Sequence, residues 1–367
     1  MSRAYLLLFP FCVALQAQDW AWLDKPYSLD LHAHYDHFQT PIEIDFDADG
    51  NLYIVDLFGC SVHKISPTGE VLYSFGRPGS GPGEFQASYD LSVDRERNRV
   101  WVSDQRSRKV ACFETTGRLL FEMTPKNQPY SIACRSSDGF LVVGGTGSNN
   151  LTLYNSKGEF IKAFGRDMER PMEGARLKSH ISRFMYLAFG PGDFLYVAYL
   201  KEPVLACYDK DGTLVWEKER PWTKSDQEPM RTIDKGMTFR VQEYHANFAI
   251  LNGTVFMSTS VGENAMIAMD AKIGAYLGFR KPLVRARGLA TLNGKIVTLN
   301  ASEGTLHLYQ DKPDFTEVRA HPDYENRYEI EDAIISSPVA TPHTCVCGCS
   351  GDKEKDKCTD SCCSGKE

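Results

Sequence analysis

Histidines near the N-terminus have a spacing that could bind a metal. The segment at residues 30–37 reads DLHAHYDH. If it is a strand, Asp30, His32, His34 and Asp36 share one face, because side chains alternate between the two faces of a strand. A His-X-His pair with a nearby carboxylate can hold a divalent metal. The alternative is a solvated edge strand whose polar face resists aggregation. His32 and His34 are therefore candidate metal ligands.

A second group of metal-binding side chains lies in the tail, where six cysteines fall close together: Cys345, Cys347, Cys349, Cys358, Cys362 and Cys363. Almost no apolar residue surrounds them, so this segment can become ordered only through disulfides or metal. The spacing is not that of a zinc finger, whose paired cysteines lie two to four residues apart. It is closer to metallothionein, in which soft thiolates hold Zn(II), Cu(I) or a similar ion. A disulfide-linked or disordered tail in an oxidising compartment is the alternative.

Motifs of common catalytic sites are absent from the sequence. It contains no Gly-X-Ser-X-Gly, no His-Glu-X-X-His and no Cys-X-X-Cys-His, so a nucleophile elbow, a zinc-protease helix and covalent haem have no support. The glycine run Gly79–Gly83 superficially suggests a phosphate loop. Such a loop should open a helix with Lys and Ser or Thr after it, whereas Glu84 and Phe85 follow here. We interpret the run as a connection between two repeats. Catalytic residues are therefore unknown at this level.

The chain from Phe38 to Phe85 indicates the elements that position everything else. Turn residues at positions 49–50, 59 and 66–69 divide it into short apolar segments, since glycine tolerates the positive φ of tight hairpins. The predicted strands are Pro41–Phe46, Leu52–Asp56, Val62–Ser66 and Val71–Gly76. One unit of this kind cannot bury both of its faces, so it must stack against copies of itself.

Two features of this unit recur in the same order, and each is found six times. The apolar second strand recurs at residues 52–55, 100–102, 141–143, 195–197, 255–257 and 296–298. The turn before the fourth strand recurs at 66–69, 114–117, 155–158 and 209–212, and in looser form at 270–274 and 310–313. Six four-stranded sheets around a central channel form a β-propeller. The predicted fold class is therefore all-β, a six-bladed β-propeller with an unstructured Cys-rich tail.

Uneven spacing between the copies points to insertions. Two of them, Arg166–Phe184 and Glu219–Ala246, are predicted to be loops over one face, because loops this long in a compact domain are usually functional or mobile. The alternating segment Tyr27–Phe38 is predicted to be one extra strand. Asp314–Ala320 can supply the last strand of the sixth blade, and Tyr27–Phe38 could instead dock there or lie outside it.

The repeat also gives structural roles to residues that could otherwise do chemistry. Cys112 and Cys207 hold the same repeat position in blades two and four, which are not neighbours, so a disulfide between them is not expected. We predict that the propeller cysteines are buried thiols: Cys60, Cys112, Cys134 and Cys207. Carboxylates at repeat positions are expected to cap turns rather than to perform acid–base chemistry: Asp45, Asp56, Asp94 and Asp104.

The first repeat resembles an NHL repeat. The residues that carry the resemblance are Ile44-Asp45, the run DGNLYIVD at 49–56, Val62, Thr68-Gly69, Phe75-Gly76 and the run GPGEF at 81–85. The second blade continues it with Val93-Asp94, VWVSD at 100–104 and Lys109-Val110. The resemblance implies a six-bladed propeller of the exported bacterial kind over about residues 38–320. Six-bladed relatives include lactonases of the gluconolactonase type and the lyase that completes peptide amidation. Both are metal-dependent, and their metal ligands do not map onto this chain.

The N-terminus resembles an export signal, with Arg3 followed by the apolar stretch Ala4–Leu15 and a small-residue cleavage context at 15–17; a buried strand is the alternative. The expected domains are a signal peptide (1–17), the propeller (18–320), a linker (321–341) and the Cys-rich tail (342–367). The mature protein is then expected to be extracytoplasmic, periplasmic or secreted. Truncation after Pro342 should leave the thermal unfolding midpoint almost unchanged, because the tail has little apolar area to bury.

Composition and charge limit the partners. The net charge is −7 and there are no basic runs, which argues against nucleic acid. No apolar stretch is long enough to span a bilayer. Two functions stay open: a binding or scaffold module for a protein or small ligand at a propeller face, or a metal-dependent lactonase- or lyase-like enzyme using the central channel. Convergent carboxylates, Asn or His at the channel mouth would favour the enzyme.

Overall fold

The computed structural model describes residues 38–145, 149–166, 185–199, 204–219, 230–234, 237–241, 247–259, 265–280, 288–300 and 305–309. All of them fall in the compact unit Met1–Tyr324. The candidate ligands His32 and His34, residues 27–37 of the predicted extra strand, the closing candidate Asp314–Ala320 and all six tail cysteines lie outside the described residues.

Apart from one two-stranded hairpin, the described strands form six antiparallel sheets, which are the blades of a propeller. Blade one contains β1 (Pro41–Phe46), β2 (Leu52–Asp56), β3 (Ser61–Ile65) and β4 (Val71–Phe75). Blade two contains β5 (Ser88–Asp94), β6 (Arg99–Asp104), β7 (Lys109–Glu114) and β8 (Leu119–Met123). Blade three contains β9 (Ser131–Arg135), β10 (Phe140–Gly144), β11 (Leu151–Tyr154) and β12 (Phe160–Phe164).

The second half of the propeller follows the same plan. Blade four contains β13 (Met185–Phe189), β14 (Leu195–Tyr199), β15 (Val204–Tyr208) and β16 (Leu214–Glu219). Blade five contains β19 (Phe248–Leu251), β20 (Thr254–Thr259), β21 (Ala265–Asp270) and β22 (Tyr276–Arg280). The described part of blade six contains β23 (Gly288–Leu292), β24 (Lys295–Asn300) and β25 (Thr305–Tyr309). In every blade the strands pair in chain order, and the first strand of each blade lies innermost, around a shared cavity.

The turns form where the sequence predicts them. In blade one, the amide of Gly50 donates to the Asp47 carbonyl, and the amide of Gly69 donates to the Ser66 carbonyl. Both glycines have positive φ, 78° and 88°, which residues with a side chain adopt at a cost. The third strand begins at Ser61 and ends at Ile65, one residue earlier than predicted. There the amide of Ser66 leaves the strand to bond the Glu70 carbonyl and close the turn.

Apolar side chains between adjacent blades form the core. The cluster between blades one and two contains Val55, Val62, Leu91 and Val100. A cluster that joins the last blade to the first contains Phe46 and Ile54 of blade one with Val297 and Leu306 of blade six, all buried. The propeller therefore closes through side-chain packing between blades six and one.

The second insertion differs from the prediction of a loop. It contains a two-stranded hairpin, β17 (Met230–Asp234) with β18 (Met237–Val241). The hairpin pairs only within itself among the described strands. The second of these strands, MTFRV, alternates apolar and polar residues, which is typical of a strand with one covered face, whereas the first, MRTID, does not alternate.

The glycine run is a connection between blades, as predicted. Pro78 and Phe85 form an isolated bridge, and the amide of Gly79 donates to the Phe85 carbonyl at 2.9 Å. The Glu84 carboxylate accepts from the amide of Gly81 at 2.8 Å and pairs with Arg77. In the described ranges no helix is long and apolar enough to cross a membrane.

Candidate functional site: the central channel

The central channel contains a cavity of about 190 Å³. Its wall is made by residues of all six innermost strands, β1, β5, β9, β13, β19 and β23, together with the residues next to them. A concave site where several chain segments converge is the usual place for a small ligand. The cavity is therefore the candidate functional site.

Strand register shows that a ring of repeat-equivalent positions lies at the start of the innermost strands. In blade one, Ile44 pairs with Ile54 of the second strand, and the residue before it is Glu43. The same register in the other blades, read from the pairs Leu91–Val102, Ile132–Val143, Leu187–Val197, Phe248–Met257 and Leu289–Thr298, places five further residues at this position: Asp90, Ser131, Tyr186, Asn247 and Gly288. We call these six the mouth ring. Five of them, all except Gly288, line the cavity.

One carboxylate of the mouth ring is held from a distant blade. The Nδ2 of Asn247 donates to Glu43 Oε2 at 2.7 Å, and the amide of Ile44 donates to Oε1 at 3.2 Å. The side-chain oxygen of Asn247 accepts from the amide of Phe248 at 2.7 Å. The ring position of blade six, which lies between these two blades, is Gly288, where an added Cβ would lie 3.3 Å from Ile44 and Leu299.

The other carboxylate of the ring, Asp90, contacts the next blade. Its Oδ2 accepts from the Ser131 hydroxyl at 2.6 Å and from the amide of Ile132 at 2.8 Å. Its Oδ1 accepts from the amide of Leu91 at 2.8 Å. The Ser131 hydroxyl oxygen in turn accepts from the amide of Leu187 in blade four at 3.2 Å. The chain of contacts therefore joins blades two, three and four at the channel.

Burial dominates the electrostatics of the ring. It raises the pKa of Glu43 well above its usual range, and the negative charge of Asp90 raises it further. Burial also raises the pKa of Asp90 to about 7, although hydrogen bonds from Ser131 and from the amides of Ile132 and Leu91 act in the opposite direction. The physical cause is that a buried carboxylate loses its hydration and faces a like charge. Near neutral pH the pair therefore favours a protonated form.

Asp45 lies two residues after Glu43 in β1 and differs from Glu43 and Asp90 because it has a cationic partner. Its Oδ1 accepts from Arg95 at 3.0 Å and its Oδ2 from the amide of Val93 in blade two at 2.8 Å. Arg95 also donates to the Phe46 carbonyl at 2.8 Å. Asp45 was expected to cap a turn; instead it joins blade one to blade two. Its position within β1, one residue before the strand end, is the reason.

The other repeated carboxylates cap turns, as the sequence predicts. Asp56 accepts from the amides of Gln39, Thr40 and Gly59. Asp104 accepts from the amides of Gln86, Ala87, Arg106 and Ser107. Asp94 accepts from the amide of Arg97 at 3.2 Å. Each carboxylate is fully buried and satisfies backbone amides, so none of the three faces the cavity as a reactive group.

The four propeller cysteines are buried free thiols, which confirms the prediction. Burial raises the pKa of Cys112 to about 12 and that of Cys207 to about 11. Cys112 pairs in register with Trp101 and Cys207 with Tyr196, which are equivalent positions in the two blades. Such thiols are poor nucleophiles and poor metal ligands, because both roles require the thiolate.

The described residues around the channel do not form a donor set for a divalent metal. No group of three or more His, Cys, Asp and Glu with metal-binding geometry exists within the described ranges. The NH₂ group of Asn247 faces the Glu43 carboxylate, and the side-chain oxygen of Asn247 accepts from the amide of Phe248. The metal-dependent lactonase or lyase hypothesis therefore finds no donor set in this part of the chain.

Sequence reasoning missed Glu43, Asp90, Ser131 and Asn247. The repeats were aligned on their second strands and turns, which carry the strongest apolar and glycine patterns. Alignment of the first strands would have placed one polar residue directly before the first core residue in blades one, two, three and five: Glu43, Asp90, Ser131 and Asn247. That signal is visible in the sequence, although its convergence depends on closure of the ring.

Comparisons with known proteins agree on the fold. No family model matches the chain, and no curated protein matches it. Among solved structures it is similar to the RRP9 WD40 repeats, with TM-score 0.52 and 11% identity over 76% of this chain and 78% of that one. It is also similar to a streptogramin B lyase, with TM-score 0.50 and 13% identity over 77% and 86%. A putative exported protein from Bacteroides fragilis matches with TM-score 0.53 and 10% identity over 74% and 90%.

These similarities and the six closed blades define the class: the chain is an all-β, six-bladed propeller. At 10–13% identity the neighbours show the fold alone. They include a lyase and a WD40 protein, and propellers with one architecture host unrelated functions. Function must therefore be argued from the channel itself.

Proposed function

We propose that this chain is an exported β-propeller that binds a small polar ligand in the mouth of its central channel. The observation that carries the proposal is the mouth ring, where polar side chains of blades one, two, three and five converge on a cavity of about 190 Å³. A few convergent polar groups in a concave site are typical of ligand-binding pockets.

Ring closure does not by itself require polar residues at these positions. Blade six has Gly288 at the same register position, and it packs on Ile44 and the backbone of Glu43 with no side chain of its own. Buried carboxylates are costly when the fold does not need them. Glu43 and Asp90 join blades through their hydrogen bonds, and their place on the cavity wall also makes them available to a ligand.

The two insertions adjoin the same end of the channel in the sequence. Arg166–Phe184 directly precedes β13, whose second residue is Tyr186 of the mouth ring, and Glu219–Ala246 directly precedes Asn247. Long insertions at the rim of a binding site commonly contribute to recognition. Their attachment supports a binding function at this end rather than at the opposite one.

The test is a ligand screen against the full-length protein by saturation-transfer NMR, using small polar metabolites. Compounds that bind wild type should bind more weakly to Glu43→Gln and to Asp90→Asn. Glu70→Gln, which changes an exposed glutamate on a turn, is the matched control and should behave as wild type. Hits that are equally strong in all four proteins would place binding outside the channel and favour a scaffold that recognises partners on its surface.

Acid–base catalysis in the channel is the second candidate, and the convergence of Glu43, Asp90 and Asn247 on the cavity meets the criterion that favours an enzyme. The pKa of Asp90 is about 7, in the range where a carboxyl can both accept and give a proton at neutral pH. Substitution Asp90→Asn should then abolish turnover of a screened ligand more than it weakens binding. An equal loss of both would leave binding as the function.

Export and a metal-binding tail are part of the same proposal. The supporting features are the N-terminal signal pattern and the six clustered tail cysteines. N-terminal sequencing of the mature protein should find Gln18 or Asp19 first. Elemental analysis of the full chain and of a chain ending at Pro342 should show zinc or copper only in the full chain. A retained Met1 would exclude export, and equal metal content would exclude the tail as the metal site.

A further inference from the structure

The cavity wall has an imbalance of charge. Its acidic residues among the described ones are Glu43, Asp45 and Asp90, and its basic residue is Arg95. Arg95 pairs with Asp45 at 3.0 Å. No ion pair to Glu43 or Asp90 occurs between described residues. Two carboxyl groups on residues that each expose only 8% of their surface therefore have no cationic partner among the described residues.

We infer that the ligand of the channel site proposed above is a small organic cation, held through a primary ammonium group between Glu43 and Asp90. Buried carboxylates without a counter-charge must take up a proton or meet a cation. A ligand ammonium supplies the missing positive charge and replaces the proton when it binds.

An ammonium group suits the available acceptors better than a metal does. Each carboxylate already accepts from one side-chain donor, Asn247 on Glu43 and Ser131 on Asp90. Each carboxylate keeps further lone pairs, since its two oxygens offer about four acceptor sites. An ammonium has three N–H donors and no need of six ordered oxygen ligands. It can therefore bind without displacing Asn247 or Ser131.

The size of the cavity fits a short organic chain behind the ammonium. An apolar protein cavity of about 150 Å³ admits benzene, and this one measures about 190 Å³. Phe248 and Leu289 also contribute to the wall beside the ring. A ligand with one ammonium and a chain of a few carbon atoms would meet both the charged and the apolar parts.

Isothermal titration calorimetry with n-propylammonium chloride at millimolar concentration tests this. The full-length protein is used in amine-free buffer at about pH 7.5, close to the pKa of Asp90, with n-propanol as the neutral probe and MgCl₂ and CaCl₂ as inorganic cations. n-Propylammonium should bind at least about tenfold more tightly than n-propanol. Repeating the titration in buffers of different ionisation enthalpy should show proton release on binding. This measurement needs no variant.

Variants provide the second arm. Glu43→Gln and Asp90→Asn should each weaken n-propylammonium binding about tenfold or more and reduce proton release, whereas Glu70→Gln should not change either. If n-propanol binds as tightly as n-propylammonium, the inference that the ligand is a cation is overturned. The proposal that the channel binds a small polar ligand would still stand. If Mg²⁺ or Ca²⁺ binds and n-propylammonium does not, the inference that the ligand is an organic cation is overturned. If no probe binds, the inference fails, and the metabolite screen alone then decides whether the channel is a binding site.

Discussion

Asn247 of blade five and Glu43 of blade one share a hydrogen bond of 2.7 Å, although blade six lies between them around the ring and 204 residues separate them along the chain. The ring position between them is Gly288, which has no side chain. The bond couples closure of the propeller to the chemistry of the channel. Several measurable consequences arise from this contact and from its neighbours.

Substitution Asn247→Ala should destabilise the fold. The carboxyl of Glu43 would lose its side-chain donor in a buried place, and an unsatisfied buried polar group costs about 1–3 kcal/mol. Chemical unfolding measures the change. Asn149→Ala removes an exposed asparagine and should change the free energy of unfolding by less than about 0.5 kcal/mol. Equal effects of the two variants would show that the Asn247–Glu43 bond contributes nothing.

Stability should fall as pH rises from about 4 to about 7, the window set by the pKa of Asp90. That pKa is about 7 in the folded protein and its ordinary value is 3.8, so the native state holds more protons than the unfolded state in this window. By linkage, the free energy of unfolding decreases as pH increases through it. Thermal unfolding in amine-free buffers that span this window measures the slope.

Asp90→Asn is the control for that slope. Asparagine does not titrate, so the decrease of stability with pH should become clearly smaller, whatever the absolute stability of the variant. Asp49→Asn changes an exposed aspartate and should keep the wild-type slope. A wild-type slope in Asp90→Asn would assign the pH dependence to other groups.

Substitution of two glycines can distinguish the cost of a strained backbone from the cost of steric crowding. Gly76 has φ +79° and a Cβ there would lie 2.6 Å from Phe85, whereas Gly253 has φ +77° and open space around it. Gly253→Ala should cost about 1–2 kcal/mol because of its left-handed backbone. Gly76→Ala should cost about 1–3 kcal/mol more, since overpacking adds to the strain. Denaturant midpoints give the comparison, and equal losses would show that Phe85 moves aside freely.

The propeller thiols should be unreactive while the protein is folded. Cys112 and Cys207 are buried, and their raised pKa values of about 12 and 11 leave almost no thiolate near neutral pH. Iodoacetamide labelling with peptide mapping should find both unmodified in the native protein and fully modified in guanidinium. Rapid labelling of Cys112 in the native state would mean that blade two opens locally.

Much of the fold could be predicted from the sequence, because local patterns determine it. Apolar second strands such as Leu52–Asp56 and turn glycines such as Gly69 lie within a few residues of their partners, and their periodicity indicates the blades directly. The hairpin β17–β18 escaped prediction because its insertion was interpreted as a loop from its length and charge, although Gly236 lies between the two strands in the sequence. Closure involves residues near both ends of the propeller, such as Phe46 and Val297, and no local pattern reports it.

The channel could be predicted only in part. The expectation that convergent carboxylates, Asn or His at the channel mouth would favour an enzyme named no residues. Glu43 and Asn247 are uninformative singly, because either could be a solvated residue at the start of a strand. Their meaning depends on register and on a contact made across the whole chain. The candidate ligands His32 and His34 and the tail cysteines lie outside the described residues and stay predictions.

Four contacts between innermost strands run the same way around the channel axis. Side chains of one innermost strand accept from amides of the following strand: Asp45 from Val93, Asp90 from Ile132, Ser92 from Cys134 and Ser131 from Leu187. In this part of the wall the hydrogen bonds therefore have one direction around the ring, and a change in one blade affects the amides of the next blade in the chain. Loss of one such acceptor should speed amide hydrogen exchange in the next blade, so removal of the Asp90 carboxylate should be sensed at Ile132 of blade three as well as at Leu91 of its own strand.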